Sequence, residues 1–498
     1  MKNKTTLLNI ISNIILQITN IIAGFIIPKI ILSYFGSNVN GLVSSILQFL
    51  SYITLIEGGI SAVIMASLYK PLNEKDYNRV SSILYTSSNF YKKIGFIFII
   101  YTIILAILYP ILFNTGFQYF YVFTLIIVLS ISLIIQYMFS LTYKNLLTSD
   151  KKGYVVSVTQ TVILILTMLF SYISVKVYPS IHILKLLSGI LFVLQPIIYS
   201  SFIQRNYKLN NNKQEDKKLI SQRWNGFAIN IAAFIHNSTD IAILTIFTNL
   251  VTVSIYSVYT IVTRGLKSII DAVSSALVPV IGKAYASEDY NDLNIKLDLY
   301  EYIIFLLVFF MFTLAGLLIT PFVMIYTKGI TDANYNQVLF GVLLVLSEAL
   351  YIIKFPHLNL AYSANKFKEL TIPAFLEAGI NIIVSLILVS KLGLIGVAIG
   401  TICGMLYRMI YHVYFTSKMI ETRKQSIFYK KLLIFSCATI IGIIISIYLI
   451  SPTKFSILSW ILHAIIYSLL FGTIYLVLSI VFFKKELNYF KKYLFNRQ

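Results

Sequence analysis

Residues 94–113 read IGFIFIIYTIILAILYPILF, an unbroken run without a single charge, entered from Lys92-Lys93 and left at Asn114. At 1.5 Å per residue, a helix of that length covers about 30 Å, the thickness of the hydrocarbon core of a bilayer. The run is one of many. The chain has 498 residues, of which 58% are hydrophobic and only 12% charged. An ordinary soluble domain has about 25% charged residues. A water-soluble fold of this length lacks the charge to cover its surface, so lipid is the solvent the composition demands.

Working outward from 94–113, the apolar runs place spans at 7–33, 41–69, 94–113, 118–143, 154–176, 181–204, 225–247, 251–281, 300–326, 337–358, 370–390, 393–417, 431–450 and 458–483. Spans seven and eight are the most interrupted by polar residues. The fold class is therefore an all-α integral membrane protein of about 14 transmembrane helices. The N-terminal run lacks a small-residue cleavage pattern and is expected to be a retained first span.

The loops alternate in charge. One set carries Lys2 and Lys4, the Lys70–Lys93 segment, Lys144 to Lys152, Arg205 to Arg223, Lys283 and Lys296, Lys366 and Lys368, Lys418 to Lys431, and the tail from Lys484. The intervening loops hold only Lys176, Lys328, Lys391 and Lys454. The positive-inside rule makes the first set cytoplasmic, with both termini inside. This placement also accounts for the formal charge of +21. The basic residues sit in short loops rather than on one face, so no nucleic-acid partner is expected. Cys403 and Cys437 both fall in apolar spans, which leaves no disulfide framework or CxxC site.

A polar segment, Asn206–Arg223, follows the sixth span and has the composition of a flexible linker. The two sides of it echo each other. Lys70-Pro-Leu-Asn-Glu-Lys-Asp-Tyr-Asn78 follows span two, and Lys283-Ala-Tyr-Ala-Ser-Glu-Asp-Tyr-Asn291 follows span eight. Asn145, Leu146, Ser149 and Lys152 similarly match Asn359, Leu360, Ser363 and Lys366, at an offset of about 213–214 residues. The expected organisation is a parallel repeat: an N-lobe at 1–204, a cytoplasmic linker at 205–224, a C-lobe at 225–418, and two additional spans with a basic tail at 419–498.

The sequence lacks a G-x-x-x-x-G-K-[ST] loop and an H-E-x-x-H pair, and its five histidines are scattered. No catalytic residue, metal site or cofactor is expected. The outward loops are too short to hold the acceptor of a membrane glycosyltransferase or polymerase. Two six-helix lobes on a linker are what a transporter needs for alternating access.

Charges inside spans cost several kcal/mol each and so mark candidate sites. Span eight carries Arg264, Lys267 and Asp271, whose spacings of three and four place them on one helical face. Span seven brings His236, Asn237 and Asp240. Span one has Lys29 after Pro28. Span two has Glu57 before Gly58-Gly59, in register with Asp271 by the repeat. Glu348, Glu377 and Arg408 lie in spans ten to twelve. One reading is a cavity with a cationic wall for phosphate oxygens, formed by Lys29, Arg264, Lys267 and Arg408. In it, Glu57, Asp240, Asp271, Glu348 and Glu377 are cavity or coupling carboxylates that exchange H⁺ or Na⁺. The other reading is internal neutralisation: Lys267 pairs with Asp271 four residues on, while Lys29, Lys354 and Arg408 snorkel to the interface. Aromatic residues near the span ends, such as Tyr34 and Tyr119, fit an interfacial belt.

With those residues in view, the chain resembles polysaccharide flippases of the Wzx type, in the larger group that holds the multidrug (MATE) exporters and the lipid II flippase. Its opening carries the likeness: Leu7-Leu-Asn-Ile-Ile, Ile27-Pro-Lys-Ile-Ile, Tyr34-Phe-Gly, Asn40-Gly-Leu and Glu57-Gly-Gly-Ile-Ser. Ala361-Tyr-Ser-Ala-Asn-Lys-Phe-Lys-Glu369 is similar to the loop before span eleven in that family. The resemblance implies a monomer in the bacterial cytoplasmic membrane that moves undecaprenyl-diphosphate-linked oligosaccharide to the outer leaflet for capsule or O-antigen. It also implies that the polymerase and glycosyltransferases of the same pathway are partners, and it gives Lys29, Arg264 and Lys267 the diphosphate. The alternatives are a cation-coupled exporter of drugs or small metabolites and, less well matched, a polymerase or ligase.

Overall fold

The computed structural model describes residues 2–57, 59–210, 227–449 and 455–495; most of the expected linker lies outside them. Among the described residues the secondary structure is helical, with no strand. The chain divides into two compact units, Met1–Ser254 and Ile255–Gln498.

The first unit opens with α1 (Lys2–Ser51), a 50-residue helix. A straight helix of that length would reach about 75 Å, far beyond one crossing. It is broken at Gly36, where φ is 79° and ψ 179°, a combination open to glycine at little cost. The break falls between the first two expected spans. A second turn, with Gly59 at φ 79°, separates α2 (Thr54–Glu57) from α3 (Ile60–Glu74). Then follow α4 (Tyr77–Leu112) and α5 (Tyr119–Ile135), the latter continuing through a π-turn at Gln136–Ser140 into α6 (Leu141–Ser149). The unit goes on with α7 (Gly153–Val177), α8 (Ile181–Leu191), α9 (Leu194–Asn206) and α10 (Phe227–Phe247). α7 packs along α1, α5 on α4, and α10 against α1 and α2. Leu42, Ile46, Leu50, Ile64, Phe98 and Leu125 form the centre of its core. Ile100, Ile111 and Leu112 stay exposed on α4, as an apolar surface facing lipid should.

α11 (Leu250–Ala286) leads into the second unit, which continues with α12 (Tyr290–Tyr326), α13 (Val338–Ile353), α14 (Phe355–Ser363) and α15 (Phe367–Leu392). It ends with α16 (Leu394–Met419), α17 (Gln425–Leu449), α18 (Ile457–Phe482) and α19 (Lys484–Phe495). Among the described residues, 12 helices are long and apolar enough to cross a membrane. The first of these, Lys4–Glu57, contains expected span one and much of span two. Span seven corresponds to α10, whose described apolar part, Ser238–Phe247, is shorter.

The sequence echoes are also echoes of conformation. Lys75 and Glu288 take left-handed φ values of 57° and 58°. In each case the following aspartate caps the next helix. Asp76 accepts from the Arg79 amide at 3.0 Å, and Asp289 from the Asn291 and Asp292 amides at 3.0 and 3.1 Å. Lys151 and Asn365 form a second matched pair, at 59° and 57°. Among the described residues these four are the non-glycine positions with positive φ.

An ion cluster fastens α17 to α12. Glu301, with no exposed surface, accepts from Arg423 Nη2 at 2.5 Å and Lys431 Nζ at 2.9 Å. Asp298 takes the other bonds of the same two cations, at 2.9 and 2.6 Å. His357 Nε2 lies 3.1 Å from Glu301. Burial works against the charge of Arg423, but Glu301 and Asp298 outweigh it and hold the guanidinium above its usual range. Two basic residues of the expected cytoplasmic loop are thus spent on internal neutralisation.

Candidate functional site

In the second unit a stripe of small residues sets the geometry. Gly396, Gly400 and Gly404 recur every four residues on α16 and face α15. A Cβ on Gly400 would sit 2.1 Å from Ser385 Oγ, and one on Gly404 would sit 3.0 Å from the Glu377 carbonyl. Without side chains there, the two backbones approach closely. One turn beyond the stripe, Arg408 meets Glu377: Nη1 donates to Oε2 at 3.0 Å. Arg408 Nε donates to His412 Nε2 at 2.7 Å, so that nitrogen is the acceptor. Arg408 is 5% exposed and does not reach the interface by snorkelling.

Next to this pair stands a centre that spacing did not single out. α13 ends at Ile353, and α14 begins at Phe355 with Pro356 in its first turn. Lys354 occupies the break between them and is 2% exposed. Its Nζ lies 3.9 Å from the ring centroid of Tyr351 and 3.5 Å from Met405 Sδ. The Nζ of half-buried Lys267, on α11, is 3.8 Å from the same ring. Neither ammonium has a carboxylate within 4.0 Å among the described residues. Lys267 therefore does not pair with Asp271. Its charge rests on the negative face of an aromatic ring, an interaction worth up to about 2 kcal/mol when desolvated. Asp271 lies within electrostatic reach of Lys267 and Glu348, and Lys354 within reach of Glu377, Arg408 and Glu348. Arg264 is exposed on α11 and makes no ion pair among the described residues.

The second unit thus brings together Lys267, Asp271, Glu348, Glu377 and Arg408, and adds Tyr351 and Lys354. The signal for Lys354 was Pro356: a proline two residues on makes the site a break inside the protein, where the span boundary alone read as a helix end.

The first unit holds Lys29, Glu57 and Asp240. Lys29 is half-buried on α1, and Asp240 is buried on α10. The side chains of His236 and Asn237 lie outside the described residues. Glu57 accepts from Ser61 Oγ at 2.6 Å and from the Tyr137 hydroxyl at 3.1 Å. Ser61 Oγ is also 2.7 Å from the Tyr91 hydroxyl, which accepts from Asn145 Nδ2 at 2.9 Å. The second unit contains a matching triad. Ser274 and the Tyr300 hydroxyl are 2.6 Å apart, and Asn359 Nδ2 donates to them at 3.1 and 2.8 Å. Each triad has a carboxylate nearby: Glu57 bonded to Ser61, and Asp271 within electrostatic reach of Tyr300.

No protein-family model and no curated protein matches the chain. Solved structures do. The lipid II flippase MurJ in an inward closed conformation aligns over 97% of this chain and 100% of its own, with TM-score 0.71 and 15% identity. An inward-facing multidrug MATE transporter of the MOP superfamily aligns over 81% and 96%, with TM-score 0.63 and 14% identity. A eukaryotic MATE transporter aligns over 86% and 98%, with TM-score 0.59 and 12% identity. The chain has the fold these transporters share. It is a multi-pass membrane protein, and at such low identity the likeness carries the architecture and leaves the cargo open.

Proposed function

We propose that the protein is a lipid flippase that carries undecaprenyl-diphosphate-linked oligosaccharide repeat units from the cytoplasmic to the outer leaflet for a capsule or O-antigen type of polymer. The observation that carries this reading is the pair of ammoniums on Tyr351. Lys267 and Lys354 hold their charge on a ring and a thioether, with no carboxylate within salt-bridge range among the described residues. A buried and a half-buried ammonium that no carboxylate among the described residues touches directly, with Asp271, Glu348 and Glu377 only within electrostatic reach, are stabilised by an incoming diphosphate. Arg264 extends the same role within the second unit, Lys29 is the candidate cation of the first, and Arg408 is engaged by Glu377 and His412. The full-length likeness to MurJ supports a lipid cargo.

In this reading 1–204 and 225–418 act as two six-helix lobes in alternating access, with the matched Ser–Tyr–Asn triads as their common inheritance. The linker 205–224 and both termini lie in the cytoplasm, 419–498 adds two spans, and the protein acts as a monomer beside the pathway's polymerase and glycosyltransferases. It is a transporter and performs no bond chemistry. Glu57, Asp240, Asp271, Glu348 and Glu377 are the carboxylates available to an H⁺ or Na⁺ gradient.

Deletion should stop surface polymer while lipid-linked precursor accumulates on the inner leaflet; normal polymer in the deletion strain refutes the proposal. At residue level, Lys267→Ala combined with Lys354→Ala should abolish flipping in proteoliposomes, as should Arg264→Ala with Lys267→Ala. Unchanged flipping removes those cations from the substrate path. The likeness to MATE transporters supports a second reading, cation-coupled export of drugs or small metabolites. It predicts raised drug sensitivity on deletion with polymer unaffected.

A further inference from the structure

A cleft of about 800 Å³ opens in the first unit, away from every residue assigned above. Its walls are the start of α4, the π-turn with α6, and the second half of the broken α8–α9 pair. The local folding explains the space. The π-turn admits an extra residue per turn and swings Met138 and Phe139 out of the regular stripe. Met138 then packs over Gly95, where a Cβ would come within 2.6 Å of its Cγ. On the other side the helix breaks at Phe192–Val193 and resumes with Pro196 facing the cleft.

The lining has two characters. Phe139 and Ile197, 54% and 53% exposed, flank one side and continue the apolar outer surface of the unit. Leu84, Ile135, Met138 and Pro196 add further apolar wall, and the polar part holds Tyr85, Ser88, Tyr143 and Gln204, none of which has a hydrogen-bond partner among the described residues. Lys92 is the cation of the lining, and it too is without an ion pair among them. It lies at the edge of the apolar run 94–113, where a bilayer changes from acyl chain to headgroup.

The geometry points to this cleft as a binding site for one phosphoglycerolipid with an uncharged polyol head, that is, phosphatidylglycerol. Lys92 takes the phosphate, the free hydroxyl and amide groups take the glycerol, and Phe139 and Ile197 guide an acyl chain along the outer face. Charge decides between lipids. One lysine neutralises one phosphodiester, whereas a diphosphate sugar lipid brings at least two negative charges and finds no second cation in the lining. A zwitterionic head would place its ammonium beside Lys92. The volume suits a headgroup with the start of a chain and far exceeds the space a lone phosphate needs.

Native mass spectrometry of the full chain in mild detergent tests this, with phosphatidylglycerol, phosphatidylethanolamine, undecaprenyl diphosphate and glycerol 3-phosphate titrated separately. One phosphatidylglycerol should be retained saturably. Lys92→Gln should weaken it about tenfold, the equivalent of one charge-assisted hydrogen bond. Ser200→Phe, which fills the cleft, should abolish retention, and both variants should melt within a few degrees of wild type. Equal retention of phosphatidylethanolamine, or wild-type retention in both variants, overturns the proposal. Tighter binding of undecaprenyl diphosphate assigns the cleft to the cargo and also overturns it, as does equal binding of glycerol 3-phosphate. None of these outcomes depends on whether the protein is a flippase.

Discussion

Removing one partner of the Glu377–Arg408 pair should be far more damaging than removing both. The two groups are 3.0 Å apart, each about 5% exposed, and locked between helices that the glycine stripe holds in close approach. Glu377→Leu leaves a buried guanidinium with only the His412 nitrogen as acceptor. Arg408→Met leaves a buried carboxylate with Lys354 in electrostatic reach but no cation bonded to it, and takes the donor from His412. An uncompensated buried charge costs about 3–5 kcal/mol, so each single variant should lose that much stability. In the double variant no charge is stranded, and two apolar side chains of similar volume fill the gap. What remains is the unsatisfied acceptor on His412, worth about 1–3 kcal/mol. The double variant should therefore lie closer to wild type than either single one, with a coupling energy of at least about 3 kcal/mol. The assay is reversible unfolding of the four proteins in the same mixed micelle, followed by tryptophan fluorescence. Additive losses refute the argument, because they would mean that the two residues are stabilised independently. Singles within about 1 kcal/mol of wild type refute it too, by showing that water reaches the pair.

Further outcomes follow from the same geometry. Gly400→Ala, whose new Cβ would meet Ser385 Oγ at 2.1 Å and the Asn381 carbonyl at 2.8 Å, should cost more than about 2 kcal/mol; Gly379→Ala, with nothing within 4 Å, should be neutral or stabilising in the same melts. Tyr351→Leu should reduce flipping as strongly as loss of either lysine, since both ammoniums lose the ring that holds them; activity within twofold of wild type would contradict that role. Asp76→Ala and Asp289→Ala should each cost about 1 kcal/mol through loss of equivalent caps, and a difference of more than about 1 kcal/mol between them would break the equivalence of the two loops. Glu301→Ala should leave Arg423 and Lys431 sharing Asp298 alone, one buried cation in excess, and destabilise by about 3–5 kcal/mol, with Asp298→Ala, whose carboxylate is partly exposed, costing less under the same unfolding conditions.

The apolar runs carried the helical membrane class because a bilayer imposes a length and forbids charge, and both constraints are local to a segment. Sequence alternation placed Gly36 between spans one and two, but whether the chain loops out there or merely kinks depends on one φ angle, which no hydropathy window contains. The Lys-to-Asn echoes were legible because the same left-handed residue and the same aspartate cap recur, a local requirement that leaves local letters. The triads were half legible. Asn145 and Asn359 stood in register, yet Tyr91 and Tyr300 come from other helices at a different offset, and only packing brings them to their serines. The embedded charges show the limit most clearly. On α11 alone, Lys267 has Asp271 one turn away and every reason to pair with it. It turns instead to a tyrosine that α13 brings from more than eighty residues further along. Arg408 and Lys354 look alike in sequence, basic residues towards span ends, and end in opposite circumstances: one is neutralised by a carboxylate, the other is left on a ring. Which cation meets a carboxylate and which is left on a ring is decided by the second helix at each contact. Gly396, Gly400 and Gly404 hold that second helix against Arg408, and Pro356 breaks the helix at Lys354. A sequence reading that weighs small residues and prolines around an embedded charge, as well as the charge itself, can therefore separate the two cases.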